Sequence, residues 1–290
     1  MVDVSGPPAS LRRDSPSRIR IAAATAARKI AGADSWVVGY PKCGNTWFGV
    51  MLRKALTLAY GLDETAIGRV LSDWRFRRLW TGAPAIGTTH QMPLYNVESY
   101  RDMTVDFSLF SARKVILLIR EPKDALVSLY MHNVYREATP LYEGDLDSMV
   151  YSDVYGIEKF IKYYVAWHEH RSVPRALMVV RYEDLSADTA GVMAGALAFL
   201  GLPRVSRPLV DEVVSYGRFE NMRKLEATNA LQIETFAPSI HSREEAFHVR
   251  KGLVGDYINH LKAETIRHID HRVAADLPDA YGYSRPMTNP

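Results

Sequence analysis

Short apolar runs alternate along the chain with longer stretches in which apolar residues recur at helical spacing. The apolar run at residues 35–39 stops at a glycine, and a helical pattern then continues through residues 45–58. A second strand is predicted at residues 85–89 and ends at His90. Residues 114–119 form a continuous apolar run, which is typical of a strand buried on both faces of a parallel sheet.

The same alternation continues after this run. Pro122 fits the first turn of a helix that extends to about Asn133, a helical stretch covers residues 157–171, and a buried strand follows at residues 176–181. Beyond Asp184 the pattern is mainly helical. Strands that alternate with helices predict an α/β fold with a central parallel β-sheet flanked by helices, in which ligands bind where the strands end in loops.

The length of 290 residues fits one large domain. We expect residues 1–34 to form a flexible N-terminal segment with a leading helix, and residues 35–290 to form a single domain. Residues 1–17 are rich in proline, serine and arginine and lack the apolar core of a secretory signal. Residues 19–31 are alanine-rich but contain three basic residues, so no membrane span is predicted.

Composition narrows the class of protein and of partner. With 47% hydrophobic and 24% charged residues, the chain has the composition of a soluble globular protein. A net charge of +3 without long basic runs suits an anionic small molecule and does not require nucleic acid. The single cysteine, Cys43, cannot form an intrachain disulfide, so a cytoplasmic protein is expected.

The first loop has the skeleton of a nucleotide phosphate loop. Residues 39–46 read Gly-Tyr-Pro-Lys-Cys-Gly-Asn-Thr between a strand and a helix. In the usual nucleoside triphosphate loop a lysine precedes the Ser/Thr, whereas here Asn45 holds that position and the cation is Lys42. Backbone N–H groups at a helix N-terminus, together with one ammonium, can bind an anion. The alternative is a tight turn with a solvated lysine.

Residues 40–47, Tyr-Pro-Lys-Cys-Gly-Asn-Thr-Trp, resemble the phosphosulfate loop of the sulfotransferase family, which commonly reads Tyr-Pro-Lys-Ser-Gly-Thr-Thr-Trp. The chain departs from that pattern at two positions, and both replacements are small or polar. The resemblance implies that this loop binds the phosphosulfate donor through Lys42, Cys43, Gly44, Asn45, Thr46 and Trp47.

Two further segments match the same family in the same order. Residues 119–128, Ile-Arg-Glu-Pro-Lys-Asp-Ala-Leu-Val-Ser, resemble its 3′-phosphate motif, which implies that Arg120 and Ser128 hold that phosphate. Residues 250–257, Arg-Lys-Gly-Leu-Val-Gly-Asp-Tyr, resemble a C-terminal motif whose basic pair and glycine approach the same phosphate, here Arg250, Lys251 and Gly252. With three ordered motifs, the chain is identified as a member of the family of cytosolic-type sulfotransferases that use 3′-phosphoadenosine-5′-phosphosulfate (PAPS).

The resemblance also implies an adenine site. Tyr182 matches a family tyrosine that reaches the adenine, and Phe219 matches an aromatic residue that stacks on it, with Trp47 as a possible second face. Each residue has a structural alternative. Tyr182 also fits the end of a strand followed by a helix cap, and Phe219 and Trp47 also fit a hydrophobic core.

The implied reaction transfers a sulfonyl group from PAPS to a hydroxyl or amine, leaving adenosine 3′,5′-bisphosphate (PAP), by in-line displacement that requires no metal. His90 aligns with the catalytic histidine of a Lys-Thr-His motif and is the candidate general base. The family lysine of that motif is Thr88 here. Lys42 is assigned to the phosphate oxygens, where an ammonium stabilises the charge of the leaving group.

The acceptor and the oligomeric state stay open. Aromatic residues in several segments suit a phenol, a sterol-like or a lipidic alcohol, namely Trp74, Phe76, Trp80, Tyr95, Tyr135 and Tyr142. Three arginines would equally suit an anionic acceptor, namely Arg75, Arg77 and Arg78. Two rival functions share the loop: a kinase for a small alcohol, which should bind a nucleoside triphosphate with magnesium, and a nucleotide-binding protein without activity. Asn45 opposes the first rival, and the presence of both Lys42 and His90 opposes the second.

Overall fold

The computed structural model of the chain describes residues 33–63, 82–90, 98–136, 140–233, 236, 247, 249 and 252–284. Its sheet has four parallel strands in the order β2-β1-β3-β4. The strands are β1 (Ser35–Gly39), β2 (Ile86–Thr89), β3 (Lys114–Ile119) and β4 (Ala176–Arg181). The predicted parallel sheet is therefore confirmed, and only β2 differs from its predicted bounds, by one residue.

Helices flank this sheet, as predicted. They are α1 (Asn45–Tyr60), α2 (Pro122–Tyr135), α3 (Leu146–Val150), α4 (Ile157–Glu169), α5 (Tyr182–Ala187), α6 (Thr189–Leu200), α7 (Arg207–Tyr216), α8 (Phe219–Ala227) and α9 (Ala263–Asp276). Single 3₁₀ turns lie at Phe107–Phe110, Asp256–Asn259 and Asp279–Tyr281. The part of the chain after Asp184 is mainly helical, which confirms that prediction.

The sequence explains where the helices next to the loops begin and end. Helix α2 starts with Pro122 in its first turn, and the side chain of Glu121 accepts a hydrogen bond from the amide of Lys123. Helix α1 ends at Gly61, whose φ of 62° is in the left-handed region that glycine reaches without a steric penalty. Both ends are thus set by local chemistry.

The hydrophobic core has two layers because β3 is buried on both faces. Val115, Leu117 and Ile119 pack into a cluster with α2, α4 and α9, while Ile116 and Leu118 pack with α1 and α6 on the opposite face. Alternate residues of a strand point to opposite faces, so a continuous apolar run supplies both clusters. This is the physical reason that residues 114–119 predict a central strand.

Strand order places a crevice beside β1. The chain leaves β1 for β2 on one side and then crosses to β3 on the other, and Gly39 pairs with Leu118 near the carboxyl ends of β1 and β3. Ligands of open α/β sheets bind at such a switch point. Within the described ranges, no helix is long and apolar enough to cross a membrane.

Candidate active site

A cavity of about 350 Å³ opens at the carboxyl ends of the strands. It collects residues from all three motif segments and from the predicted adenine and base positions: Lys42, Gly44, Asn45, Thr46, Trp47, His90, Arg120, Ser128, Tyr182, Phe219 and Gly252. Arg250 and Lys251 lie outside the described residues. Chain segments up to about 200 residues apart therefore meet in one cavity, which local sequence patterns alone do not show.

The loop between β1 and α1 has an unusual backbone. Lys42 and Gly44 both have positive φ, 71° and 92°, and Gly44 is the cap residue of α1 without a side-chain hydrogen bond to the first turn. A non-glycine residue in the left-handed region is strained by about 1–2 kcal/mol, and such strain is concentrated at functional sites. The first-turn N–H groups of α1 and the dipole of that helix favour an anion here.

Three aromatic rings, those of Trp47, Tyr182 and Phe219, line the same cavity as this loop, and we call them the aromatic wall. A Cβ atom added to Gly44 would lie 2.9 Å from the ring of Tyr182, so only glycine fits beneath that ring. The rings of Trp47 and Tyr182 are 5.7 Å apart between centroids. Trp47 Nε1 donates a hydrogen bond to the carbonyl oxygen of Gly217 at 2.8 Å, which fixes the indole at the cavity side of α1.

Arg120 follows β3 and is held by three groups. Its backbone N–H donates to the hydroxyl of Tyr164 at 2.8 Å, and its Nη1 donates to the carbonyl oxygen of Lys42 at 3.1 Å. The guanidinium carbon lies 4.2 Å from the ring centroid of Tyr182. Arg120 Nε is buried and has no hydrogen-bond partner among the described residues. Arg120 thus contacts both the predicted phosphate loop and the ring of Tyr182, and its Nε remains available as a hydrogen-bond donor among the described residues.

Cys43 lies under the loop and does not line the cavity. Its side chain is buried, with Sγ 3.4 Å from the hydroxyl oxygen of Tyr164, and its N–H donates to the carbonyl oxygen of Tyr40. Burial raises the pKa of the Cys43 thiol to about 12, so the thiol stays neutral at physiological pH. Of the residues from 42 to 47 that were predicted to bind the donor, Cys43 is the one that does not line the cavity, and it lies between the two left-handed residues.

His90 follows β2 and is oriented by the neighbouring strand. Its Nδ1 lies 2.9 Å from the carbonyl oxygen of Gly39. Because a carbonyl oxygen only accepts, Nδ1 carries the proton and the lone pair of the neutral ring is on Nε2. Burial lowers the pKa of His90, and the charge of Lys42 lowers it further, while the hydrogen bond to Gly39 acts in the opposite direction. His90 is therefore neutral at physiological pH.

A second histidine, His132, is close enough to His90 for their charges to interact. It is on α2, one helical turn after Ser128, and is buried. Burial lowers the pKa of His132 to about 2, with smaller contributions from the charges of Lys42, Arg136 and His90. His132 does not line the cavity, although its spacing of four residues from Ser128 puts both on one helix face.

Other cavity residues were missed by sequence reasoning. They are Ser186, Thr189, Met222, Val249 and Leu253. Ser186 follows Tyr182 by four residues on α5, so helical spacing from that tyrosine is the signal that could have identified it, whereas Thr189 begins the next helix. Val249 directly precedes the C-terminal motif, and Leu253 lies within it.

The remaining predicted residues lie elsewhere. Thr88 is exposed and is not among the residues that line the cavity. Tyr135 and Tyr142 pack around Tyr130, with ring centroids 6.3 and 6.5 Å away, and neither lines the cavity. The other four aromatic acceptor candidates, Trp74, Phe76, Trp80 and Tyr95, lie outside the described residues. Within the described part of the chain, no three His, Cys, Asp or Glu side chains are grouped to hold a metal ion.

Comparison with known proteins gives a consistent family. The model of the sulfotransferase domain family matches residues 33–280. Cytosolic sulfotransferase 3 of Arabidopsis thaliana is 27% identical over 259 residues, covering 85% of this chain and 77% of that protein. A 3-alpha-hydroxysteroid sulfotransferase of Cavia porcellus is 29% identical over 245 residues, covering 79% and 78%. An amine sulfotransferase of Oryctolagus cuniculus is 28% identical, covering 57% and 55%.

Solved structures with the same fold were also found. A mouse sulfotransferase complexed with PAP superimposes with a TM-score of 0.56 at 20% identity, covering 84% of each chain. A retinol dehydratase in complex with androsterone and PAP superimposes with a TM-score of 0.55 at 18% identity, covering 89% of this chain and 83% of that one. At these identities the superpositions establish the fold.

Proposed function

The chain belongs to the sulfotransferase family, and from that membership we propose that it transfers a sulfonyl group from PAPS to a hydroxyl or amine of a small molecule, with His90 as the general base. One observation carries the proposal. A single cavity joins an anion-binding loop with its cation Lys42 to a neutral imidazole that is already oriented by Gly39. A protein that only binds a nucleotide has no need of the imidazole.

The residues of the cavity fit an adenosine bisphosphate donor. The left-handed backbone at Lys42 and Gly44 leads into the first-turn N–H groups of α1, which can bind phosphate oxygens, and glycine at position 44 lets the ring of Tyr182 pack against the loop. The buried Nε of Arg120, without a partner among the described residues, is a donor that an anion satisfies. Two structural relatives are described as complexes with PAP, which supports the same nucleotide here.

Each part of the donor is assigned to side chains of known position. Lys42 and the first turn of α1 bind the 5′-phosphosulfate, while Arg120 and Ser128 bind the 3′-phosphate together with Gly252. Arg250 and Lys251 are assigned to the same phosphate on their motif alone. The adenine is assigned to the aromatic wall of Trp47, Tyr182 and Phe219, of which Phe219 is 38% exposed and so has a free face.

The chemistry follows from the protonation states. His90 Nε2 accepts the proton of the acceptor hydroxyl as the acceptor oxygen forms its bond to sulfur. The bond between sulfur and the phosphate oxygen breaks at the same time, and the Lys42 ammonium stabilises the negative charge that this oxygen gains. PAPS supplies the sulfonyl group, and PAP is the product. No metal takes part in this scheme.

The acceptor class is proposed more broadly than the donor. The relatives include proteins named for hydroxysteroids and for amines, so a sterol-like or phenolic alcohol, a lipidic alcohol and an amine are all suitable test substrates. Relatives are also named cytosolic, which agrees with a cytoplasmic site of action.

A transfer assay tests the proposal. The purified chain is incubated with PAPS carrying labelled sulfur and a panel of phenols, sterols, lipidic alcohols and amines, and labelled product and PAP are both measured. We expect PAP to form in an acceptor-dependent manner, and His90→Asn to remove that dependence while still binding PAP. Tight binding of ATP with magnesium but not of PAP would instead support the kinase and contradict the proposal.

A further inference from the structure

The far wall of the cavity is an irregular segment held in place by two buried carboxylates. Val249, Gly252 and Leu253 contribute to this wall, and the 3₁₀ turn Asp256–Asn259 follows them. We call the described part of residues 249–257 the far wall. Among the described residues no strand leads into the far wall, so its position depends on contacts from other elements.

Asp124 holds the C-terminal half of the far wall. It is on α2 and is only 3% exposed. Its Oδ2 accepts a hydrogen bond from the amide of Gly255 at 2.7 Å, and its Oδ1 accepts one from the amide of Tyr257 at 3.0 Å. Both oxygens of one carboxylate are thus bonded to backbone groups two residues apart, which fixes the direction of the chain as well as its position.

Glu226 holds the N-terminal half. It is on α8 and is 0% exposed. Its Oε2 accepts a hydrogen bond from the amide of Val249 at 3.1 Å, and its Oε1 forms an ion pair with Arg136 Nη1 at 2.8 Å. Arg223, from the same helix, donates to the carbonyl oxygen of Val249 at 3.0 Å. Val249 is therefore held through both of its backbone polar groups.

The two helices that supply these carboxylates also supply residues that are assigned to bind the nucleotide. Asp124 lies one helical turn before Ser128 on α2, and Glu226 lies two turns after Phe219 on α8. Burying a carboxylate costs free energy unless it is fully hydrogen-bonded, and here each buried carboxylate bonds a backbone amide of the far wall. The sequence places Arg250 and Lys251 between the points that the two carboxylates hold.

We propose that Asp124 and Glu226 are positioning residues for the donor. They fix the far wall from both ends and thereby set the affinity of the site for the 3′-phosphate, although neither side chain lines the cavity. The inference rests on the proposed function, because it assumes a ligand with a 3′-phosphate. A purely structural role would lower stability and weaken all nucleotides alike, whereas a positioning role weakens the bisphosphate selectively.

Asp124→Asn is the sharpest variant. One oxygen of the new amide still accepts a hydrogen bond, but its NH₂ group faces the second backbone N–H, so one of the two bonds is lost at nearly constant side-chain volume. Glu226→Gln makes the same change at the other end. Asp147→Asn is the matched control, because Asp147 accepts bonds from the amide of Lys262 at 3.1 Å and the hydroxyl of Thr265 at 2.5 Å, beyond the far wall.

Calorimetric titration of PAP and of 5′-AMP into each protein is the test. We expect Asp124→Asn and Glu226→Gln each to weaken PAP about tenfold or more, with 5′-AMP changed less than about twofold and the control unchanged for both ligands. In steady state the KM for PAPS should rise while kcat at saturating donor stays near wild type. Equal weakening of PAP and 5′-AMP, or an unchanged PAP affinity, would overturn the inference.

Hydrogen exchange on the wild-type protein gives a measurement that does not depend on the folding of a variant. Saturating PAP should slow exchange of the amides of Val249, Gly255 and Tyr257 more than saturating 5′-AMP does. Equal protection by the two nucleotides would contradict a link between the far wall and the 3′-phosphate. If the wild-type protein does not prefer PAP to 5′-AMP at all, the proposed function fails first, and the two failures are distinguishable.

Discussion

The two ends of the cavity differ in the charge that they favour: one carries positively charged side chains, and the other keeps its histidines neutral. At the phosphate end, formed by the Lys42 loop with Arg120 and Ser128, cations face the cavity on a backbone that favours anions. At the histidine end, formed by His90 with the buried His132 outside the cavity lining, burial lowers the pKa values of both histidines. Lys42 connects the ends, because its charge contributes to lowering both. The cation of the loop therefore also contributes to keeping His90 neutral, although burial is the larger cause.

The largest expected effect is the loss of the base itself. His90→Asn keeps an amide N–H that can donate to the carbonyl of Gly39, so the fold around β2 should be preserved. The rate with unactivated alcohols should fall by about 10²–10⁴ at saturating substrates, the contribution of a positioned general base. Single-turnover kinetics measures this, and calorimetry should show unchanged PAP binding. A loss of less than about tenfold would remove His90 from the base role.

Removing the cation tests the opposite end. Lys42→Ala should lower kcat by about 10²–10³, because one charged donor to developing charge is removed. Stability should change little, because an alanine at position 42 would keep the φ of 71° and have a steric penalty similar to that of lysine. Thermal melting and steady-state rates check the two statements together. Full activity in a folded variant would show that the cation which stabilises the leaving group is a different one.

The next effect concerns nucleotide selectivity at the phosphate end. A charge-assisted hydrogen bond contributes roughly 1.5–3 kcal/mol, so two effective contacts should make the wild-type protein prefer PAP to 5′-AMP by about 100-fold or more. Arg120→Ala should erase most of that preference and leave weak binding of the 5′-phosphate through the Lys42 loop. Competition titrations with both nucleotides measure the ratio. A preference that survives in the variant would assign the 3′-phosphate to other cations.

The phosphate end was more predictable from sequence than the histidine end. The strand-to-helix loop is written in consecutive residues, and β1 and β3 have the predicted bounds because continuous apolar runs bury both faces of the sheet. The sequence does not show that Cys43 turns inward. That turn depends on the left-handed conformation of Lys42, which a lysine does not indicate in a sequence. The contacts of His132, Asp124 and Glu226 join distant segments, so the sequence does not show them, even though Asp124 lies in the motif at residues 119–128.

A smaller expected effect is the pH dependence of the free energy of unfolding that His132 produces. The pKa of His132 is lowered from 6.5 to about 2, so below pH 6.5 the unfolded chain binds a proton that the native protein does not. The native state therefore loses stability as pH falls from about 6.5, by up to about 1.4 kcal/mol per pH unit for this residue. Glu121, with its pKa raised by burial to about 6, acts in the opposite direction below that pH.

A difference measurement isolates His132 from Glu121. Urea unfolding of the wild type and of His132→Leu is compared between pH 5 and 7.5, where the Glu121 contribution is common to both proteins and cancels. The free energy of unfolding of the wild type should fall more steeply on acidification than that of the variant. Parallel curves would show that the imidazole is protonated in the native protein and that this end does not exclude charge.

The smallest expected effect tests the link between the two ends. If the Lys42 charge lowers the pKa of His90, removing that charge should raise the pKa, although burial remains the larger cause and keeps it below the ordinary 6.5. NMR titration of the His90 ring protons in wild type and in Lys42→Ala measures the change without requiring activity. Lys42→Arg is the matched control, because it retains the charge and should leave the His90 titration where it is in the wild type. The acid limb of kcat/KM in the wild type should accordingly lie below pH 6.5, since a base with a lowered pKa stays unprotonated to lower pH. Equal His90 titrations in all three proteins would show that burial alone keeps the base neutral, and the two ends of the cavity would then be electrostatically independent.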